Sequence, residues 1–268
     1  MNYWQNKIGL VTGASGGLGL AISRALVSNG ATVLMNARST GPLNEAVDLL
    51  QATRGKAFAL PGDVTVQDDV DHIAETVSTQ FGGIDFLCNC VGQSTRSAIL
   101  ETTLDDFERL WDVNFLTMVR MTRAFAPTLI ERRGHLVNIG SLAGKIATRY
   151  YGSYPATKYA VSAYSQQLRL ELGPQGLHVL LVCPGPITRK ESTPRYQTSE
   201  NLPSEASQPG GGAKINSLDP DRLAEQILTA CQRRDPELIV PGKARLLMAL
   251  AALSPKLGDW LLTKMTSK

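Results

Sequence analysis

The stretch Ile8-Gly9-Leu10-Val11-Thr12-Gly13-Ala14-Ser15-Gly16-Gly17-Leu18-Gly19 decides the fold. An apolar run of strand length ends in a glycine-rich turn, and a helical pattern, roughly Leu18–Asn29, follows at once. Glycines permit backbone angles closed to other residues and let the main chain approach a bound group closely. The start of the helix offers unpaired N–H groups and the positive end of its dipole to an anion. A tight strand-to-helix turn also favours glycine, but in this context the pattern predicts a site for the pyrophosphate of a dinucleotide.

Downstream the same alternation continues to about position 240. Apolar runs at Thr32–Asn36, Lys56–Leu60, Phe86–Asn89, His135–Ile139, Val179–Cys183 and Leu238–Val240 join Ile8–Val11 as strand candidates. Between them lie helical patterns at Gly41–Thr53, Gln67–Gln80, Leu104–Glu131, Tyr154–Leu172 and Pro220–Arg233. Strands apolar on both faces, alternating with helices, predict an α/β fold: a single doubly wound Rossmann-type domain. About seven parallel strands with helices on both faces are expected.

The 268 residues carry 43% hydrophobic and 19% charged residues, which excludes a disordered chain and suffices for a full core. A net charge of +3 is too small to argue for nucleic acid, and none is expected as a partner. Its distribution is uneven. Lys243, Arg245, Lys256, Lys264 and Lys268 against Asp259 give residues 242–268 a charge of +4, leaving −1 for the rest. Cys88, Cys90, Cys183 and Cys231 are too few for a disulfide scaffold and lack the spacing of a zinc site, so buried free thiols and no metal are expected. Strand alternation would put Cys88 and Cys90 on one side. With no signal-peptide pattern in MNYWQNKIGLV and no membrane-spanning run, a cytoplasmic location is the expectation.

Residues 186–218 break the rhythm, being rich in Pro, Ser, Gly and charge. Their place after the sixth strand suggests a lid over a substrate pocket; a disordered insertion is the other reading. The domain is thus expected to span 1–241, followed by an apolar-basic helical extension over 242–268.

The end of the second strand bears on cofactor choice. A carboxylate there would bind a ribose 2′-hydroxyl and repel a 2′-phosphate. The chain instead has Asn36-Ala37-Arg38-Ser39, and the Arg38 guanidinium suits a phosphate. NADP(H) is therefore expected over NAD(H), with Ser15 adding a hydrogen bond; Arg38 as a mere solvated helix-start residue is the alternative.

Tyr154 and Lys158, at i and i+4, share one helix face. A phenol with an ordinary pKa of about 10 exchanges protons poorly at neutral pH, and a neighbouring ammonium favours its ionised form. Ser141, just past the fifth strand, is placed to hydrogen-bond a carbonyl oxygen that gains charge on reduction. Asn114 falls within a helical pattern, where Asn is unfavourable and marks a kink or a special role.

Together these residues resemble the short-chain dehydrogenase/reductase family over about residues 7–240. The glycine motif T-G-x-x-x-G-x-G matches with Gly13, Gly17 and Gly19, Leu18 lying between the last two. Asp63, in Gly62-Asp63-Val64, matches the family's adenine-side Asp. The family's N-N-A-G supports the central sheet and lines the cofactor's ribose side. Here it is altered to Asn89-Cys90-Val91-Gly92, keeping Asn89 and Gly92 as cofactor-side residues, and the small Cys90 and Val91 should preserve the turn. Asn114, Ser141, Tyr154 and Lys158 match the catalytic tetrad, and Pro184-Gly185 with Thr188 matches the nicotinamide-carboxamide segment.

The resemblance implies hydride transfer between NADP(H) and a carbonyl or secondary alcohol. It gives Tyr154 the role of general acid/base and has Ser141 hold the oxygen. Lys158 would bind the nicotinamide ribose, and Asn114 a water in a proton relay. It also implies a homodimer or homotetramer formed through Leu104–Glu131 and Tyr154–Leu172. A sensor of NADP(H) or a non-catalytic subunit is the rival, though neither requires the intact tetrad.

Substrate identity is less legible. Tyr196, Leu202, Arg149, Tyr150 and Tyr151 either line a pocket for an apolar ketone or pack internally. The tail is open to three readings: packing on the body or a sister subunit, lying on an anionic membrane, or capping the pocket.

Overall fold

The structure is a computed structural model and describes residues 2–53, 55–188, 197–198, 202, 206 and 216–266. In chain order, β1 (Ile8–Thr12), α1 (Gly17–Ser28), β2 (Thr32–Ala37), α2 (Thr40–Gln51), β3 (Lys56–Pro61) and α3 (Gln67–Phe81) form the first half. Then come β4 (Phe86–Asn89), β5 (Thr95–Arg96), α4 (Leu104–Trp111), α5 (Thr117–Glu131), β6 (His135–Ile139) and α6 (Tyr154–Leu172). The chain continues through β7 (His178–Pro184), β8 (Gln197–Thr198), α7 (Pro220–Arg233), β9 (Glu237–Val240), α8 (Ala244–Leu253) and α9 (Pro255–Thr266).

Seven strands pair in the order β3-β2-β1-β4-β6-β7-β9, all parallel. Strand order reverses beside β1, so a crevice opens at the carboxyl ends of β1 and β4. Alternate side chains feed two apolar layers. Val11, Met35, Cys88, Val137 and Val182 pack with α1, α2 and α7 on one face. Leu10, Leu34, Leu87 and Leu136 pack with α3 and α5 on the other. Such double burial explains why these strands read as continuous apolar runs.

Local signals explain the helix starts. Thr103 caps α4 by accepting from the Asp106 N–H, and Asp219 caps α7 from Arg222 with Pro220 in its first turn. The helical pattern over Leu104–Glu131 is not one α-helix. Between α4 and α5, residues Asp112–Leu116 form a π-turn. Leu110, Asn114 and Met118 are buried and four residues apart, wider than the 3.6-residue α-helical period. The wider turn absorbs that drift and keeps Asn114 facing inward.

Cys88 and Cys90 do share a side, Cys90 packing against the layer that contains Cys88. All four cysteines are free, and burial pushes the thiols of Cys88, Cys183 and Cys231 up, which keeps them unreactive.

At the amino ends of the strands, opposite the crevice, the buried rings of His135 and His178 join a directional chain. The Asp235 carbonyl can only accept, so His178 Nε2 donates to it at 2.8 Å. Neutral His178 then accepts at Nδ1 from His135 Nδ1, 2.8 Å away, and His135 Nε2 accepts from the Tyr3 hydroxyl at 2.6 Å. Burial lowers both imidazoles, His135 to about 3, so both are neutral at neutral pH. Cys231 Sγ lies within 4.8 Å of this pair, but every ring nitrogen already has a protein partner.

The tail forms a hairpin of α8 on α9. Gly258 is buried against Ala251, where a β-carbon would stand 2.7 Å from the Ala251 methyl. Among the described residues no helix is long and apolar enough to cross a membrane.

Candidate active site

A cavity of about 910 Å³ opens at the carboxyl ends of the strands. Its near wall is the glycine turn. Gly13 (φ +64°) and Gly17 (φ +52°) adopt the left-handed conformation that favours glycine. A β-carbon on Gly19 would collide with the Gly13 carbonyl, so α1 can seat against the turn only with glycine there. Gly16 precedes helix α1 as its cap residue and offers no side-chain cap, and the first turn holds no acidic residue. Thr12, not singled out from the sequence, ties the turn to the next strand. Its hydroxyl donates to the Cys88 carbonyl (3.3 Å) and accepts from the Cys90 N–H (3.0 Å). The altered Cys90-Val91 segment keeps its turn, with the Val91 side chain 3.4 Å from where a Gly13 β-carbon would stand.

Ser15, Leu18, Arg38, Asp63, Val64 and Gly92 also line the cavity. Arg38 Nη1 lies 3.9 Å from Asp63 Oδ2, and the Arg38 side chain is 68% exposed. An exposed pair this long is worth little and leaves the guanidinium able to turn to an anion. Asp63 is itself fixed, its Oδ1 accepting from the Thr65 N–H and hydroxyl at 2.9 and 2.8 Å.

Ser141, Tyr154 and Lys158 meet on the same cavity, with Pro184, Gly185 and Thr188 on its rim. Ser141 follows β6, and its Oγ accepts from the Ala143 N–H at 3.1 Å. A β-carbon on Gly144 would collide with the Lys158 carbonyl, so the Ser141 loop packs directly on α6. Lys158 is 4% exposed, with Nζ donating to the Ile139 carbonyl at 2.9 Å and lying 5.9 Å from the Tyr154 ring centroid. Burial lowers its ammonium to about 8.

Two predicted site residues lie behind the wall. Asn89 is buried in the sheet, where its Nδ2 donates to Asn138 Oδ1 at 3.0 Å, the sheet-supporting part of what the resemblance implies; its side chain is not on the cavity wall. Asn114 is fully buried, its Oδ1 accepting from the Gln93 N–H (2.7 Å) and its Nδ2 donating to the Gln93 carbonyl (2.9 Å). A β-carbon on Gly92 would stand 3.1 Å from Asn114 Oδ1 and 3.5 Å from Lys158 Nζ, so glycine lets the two groups sit close.

Of the candidate pocket residues, Tyr151 lines the cavity while Tyr150 and Arg149 do not. Leu202 is half-buried away from it, and Tyr196 lies outside the described residues, as does most of the expected lid over 186–218. The far wall comes from the tail: Leu247 and Met248 of α8 with Leu262 and Met265 of α9. Arg96 was missed, since a lone Arg in a polar stretch carries no sequence signal of burial.

A family model for short-chain dehydrogenases matches residues 7–200. The chain belongs to the short-chain dehydrogenase/reductase family. The dehydrogenase/reductase SDR family protein 7-like of Drosophila melanogaster is 30% identical, the match covering 100% of this chain and 82% of the relative. The ketoacyl reductase HetN of Nostoc is 30% identical, over 93% of this chain and 85% of its own. A short-chain dehydrogenase from Streptomyces avermitilis superposes with a TM-score of 0.82 at 31% identity, covering 97% of each chain. L-Sorbose reductase of Gluconobacter frateurii, solved with NADPH and L-sorbose, gives 0.78 at 25% identity, over 89% of this chain and 96% of that one. As a short-chain dehydrogenase the protein is an oxidoreductase that uses a nicotinamide cofactor, and the glycine turn fits one: an uncapped helix start faces a surface where no β-carbon intervenes.

Proposed function

We propose that this short-chain dehydrogenase transfers hydride between NADP(H) and a carbonyl or secondary alcohol on a small, apolar or lipid-like molecule. The supporting observation is that Ser141, Tyr154 and Lys158 share one cavity with the glycine turn and with an apolar wall from the tail. The cofactor supplies or accepts the hydride when bound. Tyr154 passes a proton to the carbonyl oxygen, or takes it back in the oxidative direction. Ser141 holds that oxygen as negative charge builds on it. The Lys158 ammonium favours the ionised phenol and would hold the cofactor's ribose. Asn114, through Gln93 and its place beside Lys158, supports the relay that returns protons from solvent.

The cofactor preference rests on Arg38. Arg38→Ala is expected to lower the ratio of NADPH to NADH affinity at least tenfold, measured by fluorescence titration of each dinucleotide. An unchanged ratio would remove Arg38 from the phosphate site. Asp63 and Val64 would flank the adenine, while Pro184, Gly185 and Thr188 meet the carboxamide.

Two copies or four are expected to associate through α4–α5 and α6, where Leu104, Trp111 and Leu170 are exposed. The tail supports a second role. Its inner face lines the cavity, while Leu246, Leu253 and Trp260 are exposed on it beside Lys256 and Lys264. That outer face suits an anionic lipid surface. Full-length protein is expected to float with phosphatidylserine vesicles more than a 1–241 truncation does; equal flotation would confine the tail to the pocket.

A further inference from the structure

We propose that Arg96 is a positioning residue that sets the substrate wall beside Tyr154, a role that rests on reading the cavity as a carbonyl-reduction site. Arginine is almost never fully buried unless its donors are met. Arg96 is 2% exposed and sits on β5 at the cavity. Its Nε donates to the Ala206 carbonyl at 2.9 Å, and its Nη1 donates to the Thr95 carbonyl at 2.8 Å and to Ser94 Oγ at 2.9 Å. The guanidinium carbon lies 3.8 Å from the centroid of the Tyr151 ring. A cation stacked on an aromatic face away from water is held more firmly than one in solvent.

Two remote pieces of chain, at Tyr151 and Ala206, therefore meet on one planar group held by β5. Thr95–Arg96 pairs in parallel with Gln197–Thr198. On the other side Ser97 bridges Tyr151, with its N–H donating to the Tyr150 carbonyl (3.2 Å) and its carbonyl accepting from Gly152 (3.1 Å). Gly152 has φ +51°, and a β-carbon there would stand 3.0 Å from Thr102 Oγ1, so this loop has little room to move. The Tyr154 N–H in turn donates to the Tyr151 carbonyl at 3.1 Å, and the two rings lie 6.2 Å apart.

Arg96 thus holds the ring that neighbours the catalytic phenol, and holds the Ala206 backbone beside it. The rigid fork of Arg makes several directed bonds at once, which the point charge of Lys cannot copy. A substituent on the carbonyl substrate that rests on Tyr151 senses Arg96 without touching it.

The test uses NADPH with 2-decanone and cyclohexanone as probes. Arg96→Met is expected to raise KM for the better ketone at least tenfold, while KM for NADPH stays within twofold. Tyr151→Leu should do the same, and the double variant should be no more than twofold worse than either single one. Arg96→Lys should fall between Arg96→Met and the wild type. Amide hydrogen exchange at Ser97 and Gly152 should quicken at least tenfold in Arg96→Met, with the melting profile checked for a folded protein. KM effects that multiply in the double variant, or unchanged exchange at Ser97 and Gly152, would overturn the proposal. If the wild type reduces neither ketone, it is the carbonyl reading that is contradicted for these probes; the exchange measurement still decides whether Arg96 holds the wall.

Discussion

Replacing Tyr154 by Phe is expected to lower kcat for NADPH-dependent ketone reduction by about 10²–10⁴-fold, the usual contribution of a positioned acid or base. The change removes one oxygen and keeps the ring, so its packing on Tyr151 survives. The glycine turn, Arg38 and Asp63 are untouched, and the NADPH dissociation constant should move less than about twofold. A variant retaining a tenth or more of wild-type turnover would show that another group delivers the proton.

Lys158→Met should do two opposite things: abolish most activity and make the protein harder to unfold. Burial holds the Lys158 ammonium at about 8, against 10.5 ordinarily. Its charge at pH 7 thus costs the folded state about 3 kcal/mol. Methionine removes the charge and keeps the length, but leaves the Ile139 carbonyl without its donor, a loss of about 1–2 kcal/mol. The net expectation is a gain of about 1–2 kcal/mol, or a few degrees in Tm.

The pH dependence distinguishes this cause from better packing. Between pH 8 and 10.5 the folded chain binds fewer protons at Lys158 than the unfolded chain does. Wild-type stability from this group therefore rises with pH across that window. The variant lacks the term, so its advantage should shrink from pH 8 upward and reverse by pH 10.5, where only the lost hydrogen bond remains. Denaturant midpoints of both proteins at pH 7, 9 and 10.5 measure it. An advantage that stays constant would exclude the buried charge as its source.

Much of this architecture is legible in the sequence because a parallel sheet buried on both faces needs long apolar runs, and glycine punctuates its turns. Each predicted strand falls within one residue or so of the observed one; β4 and β6 match end to end. The bounds of α6 and α7 also match, their starts set by Pro155 and Pro220 in the first turns. The glycine turn and the Tyr154–Lys158 pair were readable because their geometry is local: one turn, one helix face.

What was not readable depends on distant contacts. The motif of Asn89 implies support of the sheet, but its partner comes only from the register Asn89↔Asn138, which makes it a brace between β4 and β6. The role of Gly144 depends on α6 passing directly over the Ser141 loop. Arg96 needs Tyr151 and Ala206, neither within fifty residues of it, before its burial makes sense. The tail's apolar residues announce a buried face, but only the fold shows that this face lines the cavity holding Tyr154.

The π-turn at Asp112–Leu116 has a consequence for how this gene can vary. Surface loops tolerate the gain or loss of a residue because nothing downstream depends on their count. Here one extra residue per turn keeps two helices in phase, with Leu110 on one side and Met118 and Met121 on the other. Losing a single codon between 112 and 116 would rewind the turn to α, and because the wide turn already takes up that residue, α4 and α5 would keep their phase. What changes is the turn itself: its remaining residues shift by one position, and Asn114 loses the wide turn that aims it at Gln93. The segment can therefore shorten without disturbing the helices around it, but only at the cost of the aim of Asn114.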